Sequence, residues 1–315
     1  MSKDRLAVAF SCDNNYSKIM TVAIISLLEN NKCFSEIIIY WLMYNVGTEA
    51  KKQVEEIVKN YGRKIVCIDI NPFCERYRFW EKKEDSRYVR LILSEIVDED
   101  YLLYLDCDVL VASDLLYFSK LNIDDYSQAA VLDTAREDAR KEAHISSNDN
   151  YFNSGVLYIN LKYWRKNNVI EKFKKFKSEN CTKGIYRDQR VINGVLSKTT
   201  FRIEPKYNYT PEFLKYSAKQ LTFLTGAIGY YTQNELNEAK SNPCIVHFAG
   251  RSIDRPWFDN SEHPLTTQYR KYMNLYDFTN FPLCQDKFEK RINWKIRKIL
   301  PSWIYIYLNR LRHRK

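Results

Sequence analysis

The strongest constraint on the fold is a regular alternation of short apolar runs and amphipathic stretches through the first third of the chain. Strand-like runs stand at residues 6–12, 36–41, 64–70 and 101–106, and helix-period patterns at 16–30, 48–60 and 87–97 separate them. Repeated strand–helix–strand units return to one sheet in parallel, so the pattern predicts an α/β, Rossmann-like, doubly wound sheet flanked by helices. Ligands of such sheets bind beyond the carboxyl ends of the strands. Two polar segments fall there: Ser11 to Asn15 after the first strand, and Asp106 to Asp108 after the fourth.

The second segment carries the chemistry. In YLLYLDCDVLV, residues 101–111, an apolar run ends in two acids one residue apart. The two-residue period of a strand predicts that Asp106 and Asp108 share a side while Cys107 points away. Carboxylates held so close repel, and burial raises their pKa values unless a cation stabilises the ionised pair. A Mg²⁺ or Mn²⁺ ion held by so few side chains keeps open positions for the phosphate oxygens of a substrate. On the triplet alone, acids that merely cap the following loop are the alternative. In the 87–97 pattern, Val89, Ile92, Leu93, Ile96 and Val97 form the expected buried face, which leaves Arg87, Arg90 and Ser94 on a neighbouring stripe, facing either the cleft or solvent.

Composition narrows the setting. The 315 residues suffice for one large or two ordinary domains. Of the 24 tyrosines most are expected to be ordinary core and surface-edge residues. The eight cysteines include no Cys-x-x-Cys pair, the pattern of reduced thiols in a cytoplasmic protein. The first apolar stretch, 6–12, is cut off by Asp13 and two asparagines, so no signal peptide is expected, and no run approaches the ~20 apolar residues of a membrane span.

The net charge of +10 is concentrated at one end: residues 286–315 hold ten Lys/Arg against two acids, which accounts for +8. Phe288, Ile292, Ile296, Ile299, Trp303, Tyr307 and Leu311 recur there at steps of three and four, with Pro301 dividing the stretch into two helices. A basic amphipathic tail with tryptophans at 294 and 303 is read as an in-plane anchor on an anionic membrane surface. A helix docked on its own domain or a nucleic-acid contact is the lesser reading, and no nucleic-acid partner is expected. The boundary is placed at 280/281, with a catalytic domain over 1–280 and the tail over 281–315.

Six motifs, in this order, carry a resemblance: SCDNNY (11–16), RYVRL (87–91), LYLDCDVLV (103–111), YFNSGVLYINLKYWR (151–165), RDQRVIN (187–193) and HFAGRSIDRPW (247–257). Together they resemble the retaining glycosyltransferases of family 8, the group that includes bacterial lipopolysaccharide galactosyl- and glucosyltransferases and glycogenin. The resemblance covers residues 5 to about 260 and implies a GT-A type fold, a mixed, mostly parallel sheet. It implies a UDP-sugar donor, with Asp13 and Asn15 bonding the uridine, Tyr16 stacking on its base, and Ser11 and Cys107 counted among the donor contacts. Asp106, Asp108 and His247 would form the protein share of a Mn²⁺ (or Mg²⁺) site, although a lone histidine is more often structural. Gly250 would let the backbone approach the diphosphate. Arg255 would supply a positive charge where the family usually has lysine, with Arg251 as the substitute because the spacing to the Pro-Trp pair is longer here.

The same resemblance places Asn153, Ser154 and Gly155 on the donor sugar, Asp188 and Arg90 on its hydroxyls, and Asp133 near sugar and acceptor. Gln189 would be the group nearest the reacting face. An amide is a poor nucleophile, so a front-face substitution is expected rather than a covalent double displacement. Galactose or glucose from a UDP-sugar would pass to a glycan or lipid-linked acceptor, in cell-surface polysaccharide or lipopolysaccharide synthesis on the cytoplasmic side of the membrane. Acceptor contacts are expected in 71–86 and 205–235. Two rivals are an aspartyl phosphatase, whose strand-end acids act as nucleophile and general acid around Mg²⁺, and a non-catalytic membrane-peripheral binding protein.

Overall fold

The computed structural model describes residues 5–77, 86–135, 137–146, 148–180 and 187–285, together with residue 304. The anticipated amphipathic tail over 286–315, residue 304 apart, and part of the 71–86 segment lie outside the described residues.

Seven strands form the main sheet: β1 (Arg5–Asp13), β2 (Glu36–Tyr44), β3 (Lys64–Asp69), β4 (Tyr101–Leu105), β6 (Gln128–Leu132), β7 (Phe152–Asn160) and β8 (Thr200–Arg202). A two-stranded ribbon pairs β5 (Val109–Val111) with β9 (Ile245–His247). The order across the large sheet is β3-β2-β1-β4-β7-β6-β8, and β7 alone among its described strands runs against the rest. The first four strands fall where the apolar runs predict, and the mixed, mostly parallel sheet of the GT-A type is what the family motifs imply. Strand order reverses between β1 and β4, so the carboxyl ends of these two strands open the crevice in which a ligand is expected.

The helix Ser17–Asn30 is buried along almost its whole surface. It earns that by packing between β1, the β5–β9 ribbon and the helices Thr48–Asn60 and Thr266–Met273. A helix apolar all round belongs in such an interior. Its polar residues serve as ties: Ser26 Oγ accepts from Val111 N–H at 3.0 Å, and Asn30 Nδ2 donates to the Val111 carbonyl at 3.0 Å. These bonds fix the ribbon against the helix that follows β1.

Two expectations are corrected. The stretch 87–97 is not one α-helix: Ser86–Ile92 is a 3₁₀ segment and only Leu93–Ile96 is α-helical. The tighter winding settles Arg90 on the cleft side of the two alternatives, 4% exposed among acidic and carbonyl partners. Second, Asp106 and Asp108 do not owe their convergence to a strand's pleat. β4 ends at Leu105, and Cys107–Asp108 is a turn by which the chain leaves the large sheet for the ribbon.

One segment leaves and returns at a single place. Cys244 N–H donates to Lys206 O at 2.9 Å and Tyr209 N–H to Ile245 O at 2.8 Å, so residues 210–243 depart from and rejoin the edge of β9. At the far end the body continues through Cys284, whose N–H donates to Trp257 O at 2.8 Å, four residues beyond the boundary expected from sequence. Among the described residues no helix is long and apolar enough to cross a membrane. Cys12, Cys33, Cys67, Cys74, Cys107, Cys244 and Cys284 are free thiols.

Candidate active site

The turn after β4 brings Asp106 and Asp108 into the crevice, and β9 brings His247 to them through the pairing Val109↔His247. One ligand atom from each of the three lies within 4.8 Å of the others. His247 Nε2 stands 3.2 Å from Asp108 Oδ1 and 3.9 Å from Asp106 Oδ2. Gly155 on β7 makes the space: a Cβ there would sit 2.2 Å from His247 Cε1 and 2.8 Å from Asp106 Oδ2. Its contribution is therefore room for the ligands themselves, which the motif did not reveal.

Electrostatics divide the two acids. Burial pushes the Asp106 carboxyl above its ordinary value, with Arg90 opposing. Burial also works against Asp108, but His247 and Arg255 outweigh it and leave that carboxyl below its usual value. Burial lowers the His247 imidazole, and Asp108 and Asp106 more than restore it, so it stands above its usual value. Two carboxylates and an imidazole, converging at this spacing, are a donor set that fits Mn²⁺ or Mg²⁺ with positions left for other ligands.

Arg90 organises the floor. Its guanidinium donates to Ser154 O at 2.7 Å and to Asp106 Oδ1 at 2.7 Å, faces Asp188 Oδ2 at 3.2 Å, and lies over the Tyr104 ring at 4.7 Å. Burial alone would disfavour this charge; Asp106, Tyr104 and Asp188 overcome that and hold it firmly ionised. Asp188 and Gln189 begin the helix Arg187–Leu196 and are both buried. Gln189 Oε1 accepts from Ser154 N–H at 3.0 Å, while its amide nitrogen donates to Asp133 Oδ2. Burial raises the Asp133 carboxyl, with Gln189 opposing. Asn153 Oδ1 accepts from Gly155 N–H at 2.9 Å, and its nitrogen reaches Asp133 Oδ2 at 3.4 Å.

At the mouth, Asp13 Oδ1 caps the next turn by accepting from Tyr16 N–H at 3.1 Å. Asn15 and Tyr16 are exposed beside it, Tyr16 at 38%. Burial pushes the Tyr16 hydroxyl up, and Arg255 opposes this, which places ring and guanidinium together. Arg255 approaches Asp108 Oδ2 to 4.0 Å, whereas Arg251 is exposed. The longer spacing thus still delivers Arg255 to the acids. Gly250 has φ +129, a conformation L side chains rarely adopt. Ser11 O accepts from the thiol of the buried Cys107 at 3.2 Å, which joins the end of β1 to the turn that carries the acids. Sequence reasoning missed Asn208, fully buried and 2.9 Å from His247 Nδ1. No motif marks it; the bridge Tyr209↔Val246 puts it there.

The chain matches the family model described as "Glycosyl transferase family 8" over residues 7–261. General stress protein A of Bacillus subtilis (strain 168) is 28% identical over 281 residues, which cover 87% of this chain and 95% of that protein. A lipopolysaccharide 1,2-glucosyltransferase of Escherichia coli is 27% identical over 295 residues, 89% of this chain and 81% of the relative. Among solved structures, galactosyltransferase LgtC in complex with donor and acceptor sugar analogues superposes with a TM-score of 0.68 at 21% identity, covering 91% of this chain and 99% of that one. An active-site mutant of LgtC gives 0.70 at 23% identity, covering 85% and 95%. These likenesses carry the GT-A fold. The phosphatase reading falls: its acids follow the first strand of a different fold, whereas here they follow the fourth. The family match and the order of its motifs along this sheet agree, and the chain belongs to glycosyl transferase family 8.

Proposed function

We propose that this glycosyltransferase moves a hexose, galactose or glucose, from a UDP-sugar to a hydroxyl of a glycan or lipid-linked acceptor, with retention at the anomeric carbon. The observation that carries the reading is the convergence of Asp106, Asp108 and His247 within 4.8 Å at the reversal point of the sheet, beside the Arg90–Asp188 and Gln189–Asp133 pairs. Asp106, Asp108 and His247 would hold Mn²⁺ or Mg²⁺, which when bound supplies Lewis-acid stabilisation of the departing diphosphate. Arg255 adds positive charge on the same side. Tyr16 offers an exposed ring for the uracil, with Asp13 and Asn15 nearby for its polar edge.

In the transfer the bond from the anomeric carbon to the diphosphate oxygen breaks, and a bond to the acceptor oxygen forms on the same face. The acceptor proton passes to the diphosphate. Asp188, Asn153 and Asp133 present carboxylate and amide groups toward the sugar hydroxyls. Gln189 is bonded at both ends of its amide, to Ser154 and Asp133, which suits a positioning and electrostatic role and not a covalent intermediate. The basic tail would hold a catalytic body on the anionic inner face of the cell membrane, where surface glycans are built. The relative named for lipopolysaccharide synthesis supports this class of acceptor.

The test is hydrolysis of UDP-glucose, UDP-galactose and their N-acetyl forms with Mn²⁺, read by UDP release and by NMR of the first-formed anomer. One donor should be cleaved in a metal-dependent way to the α-hexose, and Asp108→Asn should lose this activity while melting like the wild type. Undiminished cleavage by that variant in chelator, or β-hexose as first product, would falsify the reading.

A further inference from the structure

Asn208 lies outside every motif used above, yet it bonds two members of the site. Its polar atoms can be assigned because the network ends in a backbone amide. Gly155 N–H can only donate, so the Asn153 side-chain atom 2.9 Å from it is the carbonyl oxygen. That oxygen lies 2.8 Å from an Asn208 side-chain atom, which must then be the amide nitrogen. The remaining Asn208 atom is its carbonyl oxygen, and the His247 Nδ1 facing it at 2.9 Å must carry a proton to bond it. Nε2 is left pointing between the acids, 3.2 Å from Asp108 Oδ1 and 3.9 Å from Asp106 Oδ2. A neutral imidazole protonated at Nδ1 presents its lone pair at Nε2, the form that can ligate a cation.

We propose that Asn208 is a positioning residue of the cation site: its side-chain carbonyl holds His247 as the Nδ1–H tautomer, and its amide ties that choice to Asn153. The inference rests on the cation-binding reading above. The placement is rigid. Asn208 ends the 3₁₀ segment Pro205–Asn208, and its neighbour is locked to β9 by Tyr209 N–H to Ile245 O at 2.8 Å and His247 N–H to Tyr209 O at 3.0 Å. Asn153 in turn contacts Asp133, which accepts from Gln189. One chain of hydrogen bonds therefore runs from the histidine ligand to the residues assigned to the sugar, and Asn208 is the link between them.

The experiment titrates the full-length chain with Mn²⁺ alone, free ion being read by electron paramagnetic resonance, for wild type, Asp108→Asn, Asn208→Leu and Asn208→Asp. Loss of a partner that orients a ligating histidine typically weakens metal binding about 10–100-fold, and Asn208→Leu should fall in that range. Asn208→Asp keeps an oxygen facing Nδ1–H but loses the donor to Asn153 Oδ1, so it should recover part of the loss. A folded Asn208→Leu with wild-type affinity, or an Asn208→Asp as impaired as the leucine variant, overturns the proposal. If wild type binds Mn²⁺ no better than Asp108→Asn, the cation reading itself falls and the inference with it. Should the variants not fold, ¹⁵N-histidine spectra of the wild type, assigned with His247→Gln, still decide: a neutral His247 ring protonated at Nε2 and bare at Nδ1 refutes it.

Discussion

Gly155→Ala tests the cation site from the side of sterics. The added Cβ would meet His247 Cε1 at 2.2 Å, whereas ordinary contact begins at 3.4 Å, so ring and Cβ must separate by about 1.2 Å. Asp106 Oδ2, at 2.8 Å from the same Cβ, must also retreat. Neither neighbour is the loose end of a flexible chain: His247 is tied to Asn208 and Asp106 to Arg90. Metal–ligand distances tolerate roughly ±0.2 Å, so a displacement of this size removes at least one ligand from its place. A misplacement near 1 Å costs on the order of 10²-fold in rate, and overpacking costs about 1–3 kcal/mol of stability. We expect Mn²⁺ affinity to fall at least tenfold, about the loss seen when a ligand is misoriented, with UDP-hexose hydrolysis falling further. The control is Gly194→Ala, whose Cβ would stand 2.1 Å from Phe176 Cζ. It should lower the melting temperature in the same way and leave Mn²⁺ binding unchanged. A Gly155→Ala protein that binds Mn²⁺ and turns over like the wild type would refute the reasoning.

Deleting residues 286–315 removes a segment carrying +8 and should release the protein from anionic vesicles while donor hydrolysis persists; continued sedimentation with vesicles would place the anchor elsewhere. His263 predicts acid sensitivity. Burial lowers its imidazole to about 4 from 6.5, Asp254 opposing and Lys215 adding to the shift. The unfolded chain therefore protonates first, so this stability is fully present above pH 6.5 and is lost as pH falls from 6.5 toward 4, by about 3 kcal/mol. The difference in urea midpoint between wild type and His263→Phe should shrink across that range, and equal pH slopes would count against the assignment.

The parallel half of the fold was legible because β1 to β4 are continuous apolar runs with amphipathic helices between them, and hydrophobic period reports such elements directly. What sequence could not show is where the chain turns out of a strand. The run LYLDCDVLV reads as unbroken, yet Asp106 to Asp108 spans the passage between two sheets, so the convergence of the acids was anticipated for the wrong reason. For Arg90 the helical wheel left cleft and solvent both open, and a 3₁₀ segment, whose period the wheel does not represent, turns the side chain into the cleft. The family motifs placed His247 and Gln189 in one crevice, joined by Arg255. Asn208 carries no such signal because its role depends on the pairing of Tyr209 with Val246 across a long separation in sequence.

The excursion over residues 210–243 leaves from Tyr209, whose carbonyl accepts from His247 N–H, and returns at Cys244, which bonds Lys206 O. Closing a longer loop adds only about 0.6 kcal/mol per doubling of its length. The stretch is nevertheless fastened to the body: Tyr231 Oη accepts from Leu132 N–H at 3.0 Å, Tyr230 Oη donates to Asp133 O at 3.2 Å, and Lys215 pairs with Asp254 at 2.6 Å. Its anchors thus tie the excursion to Asp133 on one side and to the loop that carries Arg255 on the other.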